Sequence, residues 1–177
     1  HALADDGSVV VPIGFDFSFY GVTRGTLRIN ANGFITFGPD TAASGNQRLP
    51  DPALPNDVVA PFWDDLDPST GGTVYTLAQG AAPNRSFTVA WVGVRHHGGT
   101  DPVTFEVTLY EDSGKIVFQY QDVDFANATY NFGASATAGV EGLDGLDGTS
   151  LSFNQPIIKN GTARRFYPVI TMAEITY

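Results

Sequence analysis

The stretch Gly14-Phe15-Asp16-Phe17-Ser18-Phe19-Tyr20-Gly21 decides the fold class. In an extended chain Phe15, Phe17 and Phe19 share one face while Asp16 and Ser18 take the other, the period-two pattern of a strand with one buried side. The pattern recurs downstream. Phe87, Val89 and Trp91 alternate with Thr88, Ala90 and Val92; Phe105, Val107 and Leu109 with Glu106, Thr108 and Tyr110; and Ile116, Phe118 and Tyr120 with Val117 and Gln119. Between such runs stand residues that tolerate positive φ. Asn32-Gly33 separates Leu27-Arg28-Ile29-Asn30 from Phe34-Ile35-Thr36-Phe37, and Glu111-Asp112-Ser113-Gly114 joins the Phe105 and Ile116 runs into a hairpin. About a dozen short strands with regular turn signals predict an all-β chain, an antiparallel β-sandwich of jelly-roll-like type with extended terminal arms. No segment reads as a helix.

Composition agrees. The 177 residues (18.9 kDa) are 42% hydrophobic and 12% aromatic, enough for one domain burying roughly 70% of its unfolded surface. There are 20 Gly and 11 Pro, 15 Asp against 4 Glu, and only two lysines, so turn formers dominate helix formers. The net charge of −10 argues against a nucleic-acid partner, which needs a basic surface. No run of about 18 apolar residues is present, so no membrane span is expected. The absence of cysteine removes disulfides, thiolate metal sites and cysteine nucleophiles. Opening at His1, without Met or a signal-like stretch, the sequence reads as a mature chain or excised module.

Three parts are expected: an N-terminal arm (residues 1–7), a sandwich domain (8–168) and a C-terminal strand (169–177). Residues 40–55, rich in Pro, Ala and Asn and lacking alternation, read as a loop wrapping the surface. The last segment is rich in β-branched residues. Val169, Ile170, Met172, Ile175 and Tyr177 are its candidate assembly residues, because a strand that ends a chain needs an edge to pair with.

The order of motifs resembles a secreted module of large bacterial and archaeal extracellular proteins, distantly like the nidogen-like (NIDO) domain. It runs from Gly14-Phe15-Asp16-Phe17-Ser18-Phe19-Tyr20-Gly21 through Ile29-Asn30-Ala31-Asn32-Gly33-Phe34-Ile35-Thr36-Phe37 to Val59-Ala60-Pro61-Phe62-Trp63-Asp64-Asp65-Leu66-Asp67. It continues with Gly72-Thr73-Val74-Tyr75, Val89-Ala90-Trp91-Val92-Gly93-Val94, Thr104-Phe105-Glu106-Val107-Thr108-Leu109-Tyr110 and Ile116-Val117-Phe118-Gln119-Tyr120, and closes on Ala138-Gly139-Val140-Glu141. The resemblance implies a β-rich extracellular module for adhesion or assembly, with no catalytic residues to carry over. His1-Ala2-Leu3 and residues 169–177 read as departures from the pattern.

Two acidic clusters suit a hard cation such as Ca²⁺, which takes six to eight oxygens: Asp64, Asp65 and Asp67, and Glu141, Asp144 and Asp147. Solvated turns use the same residues. Asn84, Asn127 and Asn160 each begin an Asn-X-Ser/Thr sequon, the acceptor for N-glycosylation. An N-terminal His1 with His96 or His97 would form a copper brace, supported only by the preference of imidazole for copper. No nucleophile-elbow motif marks a serine hydrolase. Tyr20, Tyr110, Tyr130 and Tyr177 are candidate sugar-stacking rings.

The function expected is therefore non-catalytic: an extracellular, cell-surface structural or adhesive sandwich, a self-assembling filament subunit that binds itself or other surface proteins. The alternative is a carbohydrate-binding module with a calcium-organised loop.

Overall fold

The computed structural model describes residues 1–39 and 43–168, so the candidate assembly residues Val169, Ile170, Met172, Ile175 and Tyr177 lie outside the described residues. The chain forms β1 (Ser8–Phe19), β2 (Val22–Asn30), β3 (Phe34–Thr36), β4 (Val58–Trp63), β5 (Leu66–Asp67) and β6 (Thr73–Gln79). It continues with β7 (Ser86–His96), β8 (Pro102–Tyr110), β9 (Ile116–Asp122), β10 (Thr137–Glu141), β11 (Gly148–Phe153) and β12 (Thr162–Phe166). The helical content among the described residues is one 3₁₀ turn, Asn131–Gly133.

Two antiparallel sheets pack face to face, as expected of a sandwich. Sheet 1 has the order β1-β2-β3-β4-β10-β11; sheet 2 has β12-β9-β8-β7-β5, with β6 also paired to β7. Most neighbours in the sheets are neighbours in sequence, so the connectivity is built from meanders. The expected hairpin is present, with Leu109 opposite Ile116, and Asn30 pairs with Phe34 across the Asn32-Gly33 turn. The alternation read from sequence is the inside-outside alternation of the structure: Phe15, Phe17 and Phe19 are buried, as are Phe87, Val89 and Trp91.

The core between the sheets is aromatic, and Trp91 stacks on Phe105 (centroids 5.2 Å, 16° between planes) with Phe62 on the other side of Phe105 at 5.3 Å. Two of its rings also carry hydrogen bonds across the sandwich. Trp91 Nε1 donates to the Asn30 carbonyl (3.0 Å) and Tyr120 Oη to the Pro61 carbonyl (2.9 Å). Buried polar tips of aromatic residues require such partners.

A second, smaller core lies under the loop that follows β3. Phe34, Leu49, Val58, Ala60 and Trp63 cluster there with Ala43 packed against them, and Trp63 Nε1 donates to the Ala43 carbonyl (2.9 Å). The loop expected to wrap the surface thus covers the outer side of sheet 1. This explains the lack of alternation in Val58-Val59-Ala60-Pro61-Phe62-Trp63, whose six residues are all buried.

Residues 1–7 lie against the sandwich. The His1 ammonium donates to the Val74 carbonyl (2.6 Å), Leu3 is buried in the core, and Ala31 N donates to the Gly7 carbonyl (2.8 Å). On the far side, β11 and β12 are the last strands of their respective sheets. Leu151 and Phe166, on these two strands, pack on the core while staying partly exposed.

The turn into β3 has no room for a side chain. Gly33 has φ +78°, and a Cβ there would stand 1.9 Å from the Phe62 carbonyl oxygen. Replacement Gly33→Ala should destabilise the fold by about 3 kcal/mol or more, whereas Gly25→Ala, with nothing within 4 Å, should stay within about 0.5 kcal/mol of the parent. Chemical denaturation of the two variants checks the contrast.

Candidate functional site

The Asn32-Gly33 turn organises one pole of the sandwich, because its backbone and amide reach the segment that leaves β4. Asp64 N donates to the Asn32 carbonyl (3.2 Å), and Leu66 N to Asn32 Oδ1 (2.8 Å). Asn32 Nδ2 in turn donates to Asp6 Oδ1 (2.7 Å), drawing the N-terminal segment to the same place. The expected cluster of Asp64, Asp65 and Asp67 is divided by this arrangement.

Asp64 is buried and faces one way. Its Oδ2 accepts from Ser135 Oγ (2.6 Å) and its Oδ1 lies 3.5 Å from His96 Nε2. His96 Nδ1 contacts the His97 carbonyl at 3.0 Å, and the ring stacks on Tyr130 with centroids 3.6 Å apart. Burial works against a charge on His96, but Asp64, the His97 carbonyl and Asp65 outweigh it and raise its pKa. Hydroxyl and imidazole both bind the carboxylate rather than each other, which is not the serine–histidine contact a nucleophilic triad needs. An open cleft of about 500 Å³ beside this group is lined by Asp64, Asp65, Ser135, Asn46 and Asn154.

Asp65 and Asp67 face the other way, toward the N-terminal segment. Asp5, Asp67 and His97 bring ligand atoms within 4.8 Å of one another, as do Asp5, Asp6 and Asp65. His97 Nδ1 is 3.2 Å from Asp5 Oδ2. Burial raises the pKa of Asp65, and the carboxylates of Asp6 and Asp5 add to this against the pull of His97 and His96. Sequence reading missed Asp5 and Asp6 and named His97 only as a copper-brace partner of His1, since only the docking of the N-terminal segment brings these residues beside Asp65 and Asp67. The pair Asp5-Asp6 just before a glycine was the available signal. His1 is held on β6 by Val74 and, through Nε2, by Thr76 Oγ1 at 3.3 Å. It belongs to neither ligand group among the described residues, and both nitrogens of His96 face other protein atoms.

The second cluster does not gather. Glu141 is fully buried, its Oε2 accepting from Asp51 N (3.0 Å), while Asp144 Oδ1 accepts from Leu146 N (3.1 Å) within its own turn. Asp147 is exposed. Among the sequons, Asn84 and Asn127 are exposed in turns. Asn160 is exposed too, but its Nδ2 donates to Asp122 Oδ1 (2.7 Å) and its Oδ1 accepts from Val123 N (2.8 Å), tying the start of β12 to the end of β9. Of the tyrosines considered for stacking, Tyr20 is exposed, Tyr130 is covered by His96, and Lys115 Nζ sits 4.0 Å from the Tyr110 ring centre; Tyr177 lies outside the described residues.

The opposite pole, at the Val58 end of β4, is apolar. A groove of about 640 Å³ is lined there by Phe19, Tyr20, Ile116, Val140, Phe166 and Tyr167. It opens between the ends of β11 and β12, with Thr149 on one rim and Arg165 on the other.

Sandwich, turns and core correspond to motifs spread along the whole chain, and a family model for NIDO-related domains matches residues 1–167. The chain belongs to the NIDO-related family. The family match begins at residue 1, so His1-Ala2-Leu3, read from sequence as a departure, lies within it. That agrees with Leu3 packing into the core. Residues 168–177 lie beyond the match. No solved structure matches the chain significantly. Among the described residues of this NIDO-related chain, no helix is long and apolar enough to cross a membrane.

Glu141, away from the polar pole, gives the fold a pH signature. Burial raises its pKa from 4.5 to about 7, against the Asp51 N–H and with the Asp51 carboxylate adding to the rise. Below pH 4.5 the carboxyl is neutral in both folded and unfolded chains and costs nothing. As pH rises through 7 the unfolded chain is already ionised while the folded one resists, so stability is lost over that interval by roughly 2–3 kcal/mol. Glu141→Gln should flatten this part of the stability-against-pH curve, measured by thermal unfolding between pH 4.5 and 7.5. An unchanged slope would show that Glu141 ionises freely in the folded protein.

Proposed function

We propose that this NIDO-related chain is a non-catalytic extracellular structural module that associates with copies of itself. The observation that carries this reading is the concentration of exposed apolar side chains at one pole. Tyr20, Leu54, Leu143, Leu146 and Tyr167 are 44%, 61%, 60%, 68% and 65% exposed. The pole is assembled by close contacts: the Tyr20 ring lies against Gly142, Gly145 lies against Asp51 and Pro52, and Asp57 N donates to the Gly142 carbonyl (3.0 Å). Isolated exposed apolar residues are ordinary, but grouped ones mark interaction surfaces.

Family membership supports the extracellular part of the reading, and the polar pole supports its non-catalytic part, since Ser135 and His96 are each bound to Asp64. Light scattering on the purified chain, with negative-stain imaging, should give species heavier than 18.9 kDa. Leu146→Asp, at an exposed turn position, should shift them toward monomer with Tm unchanged. A parent chain that stays monomeric at all concentrations would refute self-association.

A second reading concerns the polar pole. The two ligand groups that share Asp5, one with Asp6 and Asp65 and one with Asp67 and His97, favour a divalent cation there, Ca²⁺ being suited to the all-carboxylate group. These residues come from the N-terminal segment, the β4–β5 corner and the end of β7, so an ion would fasten the N-terminal segment to the sandwich. Millimolar CaCl₂ should then raise Tm through ligand linkage, and Asp5→Asn should abolish the rise. An equal Tm with and without calcium would remove this reading.

A further inference from the structure

The side of the sandwich where β11 and β12 lie is unfinished. Each is the last strand of its sheet, with one hydrogen-bonding edge unpaired among the described residues. The seam between them holds an apolar groove walled by Phe19 and Val140 from sheet 1 and by Ile116 and Phe166 from sheet 2, and apart from it a small cavity lined by Leu151, Ile157 and Ile158. Leu151 and Phe166 belong to the core yet remain partly exposed along it. An apolar seam between two sheet edges has the shape and chemistry of a missing strand.

We infer that this seam receives residues 169–177 of a second copy, an inference that rests on the self-association proposed above and names its seat. Three observations single out this occupant. First, Tyr167 and Pro168 line the groove and residues 169–177 follow them directly, with an extended reach of about 30 Å. Second, those nine residues are mostly apolar or β-branched, the composition of a strand covered on both faces, and Glu174 is their single charge. Third, the charges are complementary. β12 presents Arg164 and Arg165 to solvent along the seam, where a strand added to its edge would bring Glu174.

The local chemistry at the exit selects a second copy over the chain's own seam. A return along β12 would need a tight hairpin at Tyr167-Pro168. Such two-residue turns require positive φ at the first or both positions, which suits Gly or Asn. Pro168 holds φ near −65°, and a residue before proline is driven toward extended geometry. β12 runs toward the apolar pole, with Thr162 opposite Tyr120 and Phe166 opposite Ile116.

The test uses the absence of cysteine from the chain. Two full-length single variants are prepared: Thr149→Cys, exposed on the seam rim, and Ala173→Cys in the middle of the terminal segment. Mixed and mildly oxidised, they should give a disulfide-linked pair of twice 18.9 kDa. The yield should be roughly tenfold or more above that with Thr100→Cys, an exposed position at the polar pole, because docking raises effective concentration. Oligomers by light scattering without excess Thr149–Ala173 linkage would overturn the seam while leaving self-association standing. A monomeric parent chain would overturn both. A Thr149→Cys/Ala173→Cys double variant that closes a disulfide within one monomer would show the segment in its own seam and overturn the exchange between copies.

Discussion

Two hydrogen bonds across the core set the relation between the sheets: Trp91 to the Asn30 carbonyl and Tyr120 to the Pro61 carbonyl. Apolar packing alone lets two sheets slide, since the hydrophobic effect has no direction. A ring whose polar tip must reach one backbone oxygen in a dry interior fixes both distance and register, because leaving either group unpaired costs about 1–3 kcal/mol. Asn30 ends β2 and Pro61 sits within β4, so the two contacts hold sheet 1 at separate points. A chain without disulfides obtains its cross-ties between layers from these side chains.

From that registration follows the polar pole. Once β2 and β4 are positioned, the Asn32-Gly33 turn meets the segment leaving β4, and Asn32 becomes the hub to which Leu66, Asp64 and Asp6 attach. The carboxylates are then sorted by direction. Asp64 turns inward to Ser135 and His96; Asp65 and Asp67 turn outward to Asp5, Asp6 and His97. Charges adjacent in sequence thus have different surroundings.

The architecture was legible in the sequence wherever one face of a strand is dry and the other wet. Phe15-Asp16-Phe17-Ser18-Phe19 and Phe105 through Leu109 are such cases. Alternation fails where both faces are covered, so β4 and Leu49, in the covering loop, gave no periodic sign of their burial. The candidate site was half legible. Asp65 and Asp67 were visible as neighbours, but Asp5 and Asp6 join them through contacts spanning some sixty residues that no local pattern encodes. Glu141 was misleading in the opposite way: its Gly- and Asp-rich surroundings resemble a cation loop, whereas its carboxyl is buried on Asp51 N.

The loop packed over sheet 1 through Leu49 and Trp63 also makes the two broad sides of the molecule unequal. Behind β4 there is a third layer, and the backbone of sheet 1 is shielded at its centre. The outer side of sheet 2 is a mixed surface on which the Thr88–Thr108 hydroxyl pair at 2.9 Å and the Gln119–Glu106 contact lie beside exposed Tyr75, Leu77 and Val92. The module therefore has a front and a back. Repeated along a line, copies in one orientation would present a thick, sealed surface on one flank and a single uncovered sheet of mixed polar and apolar side chains on the other.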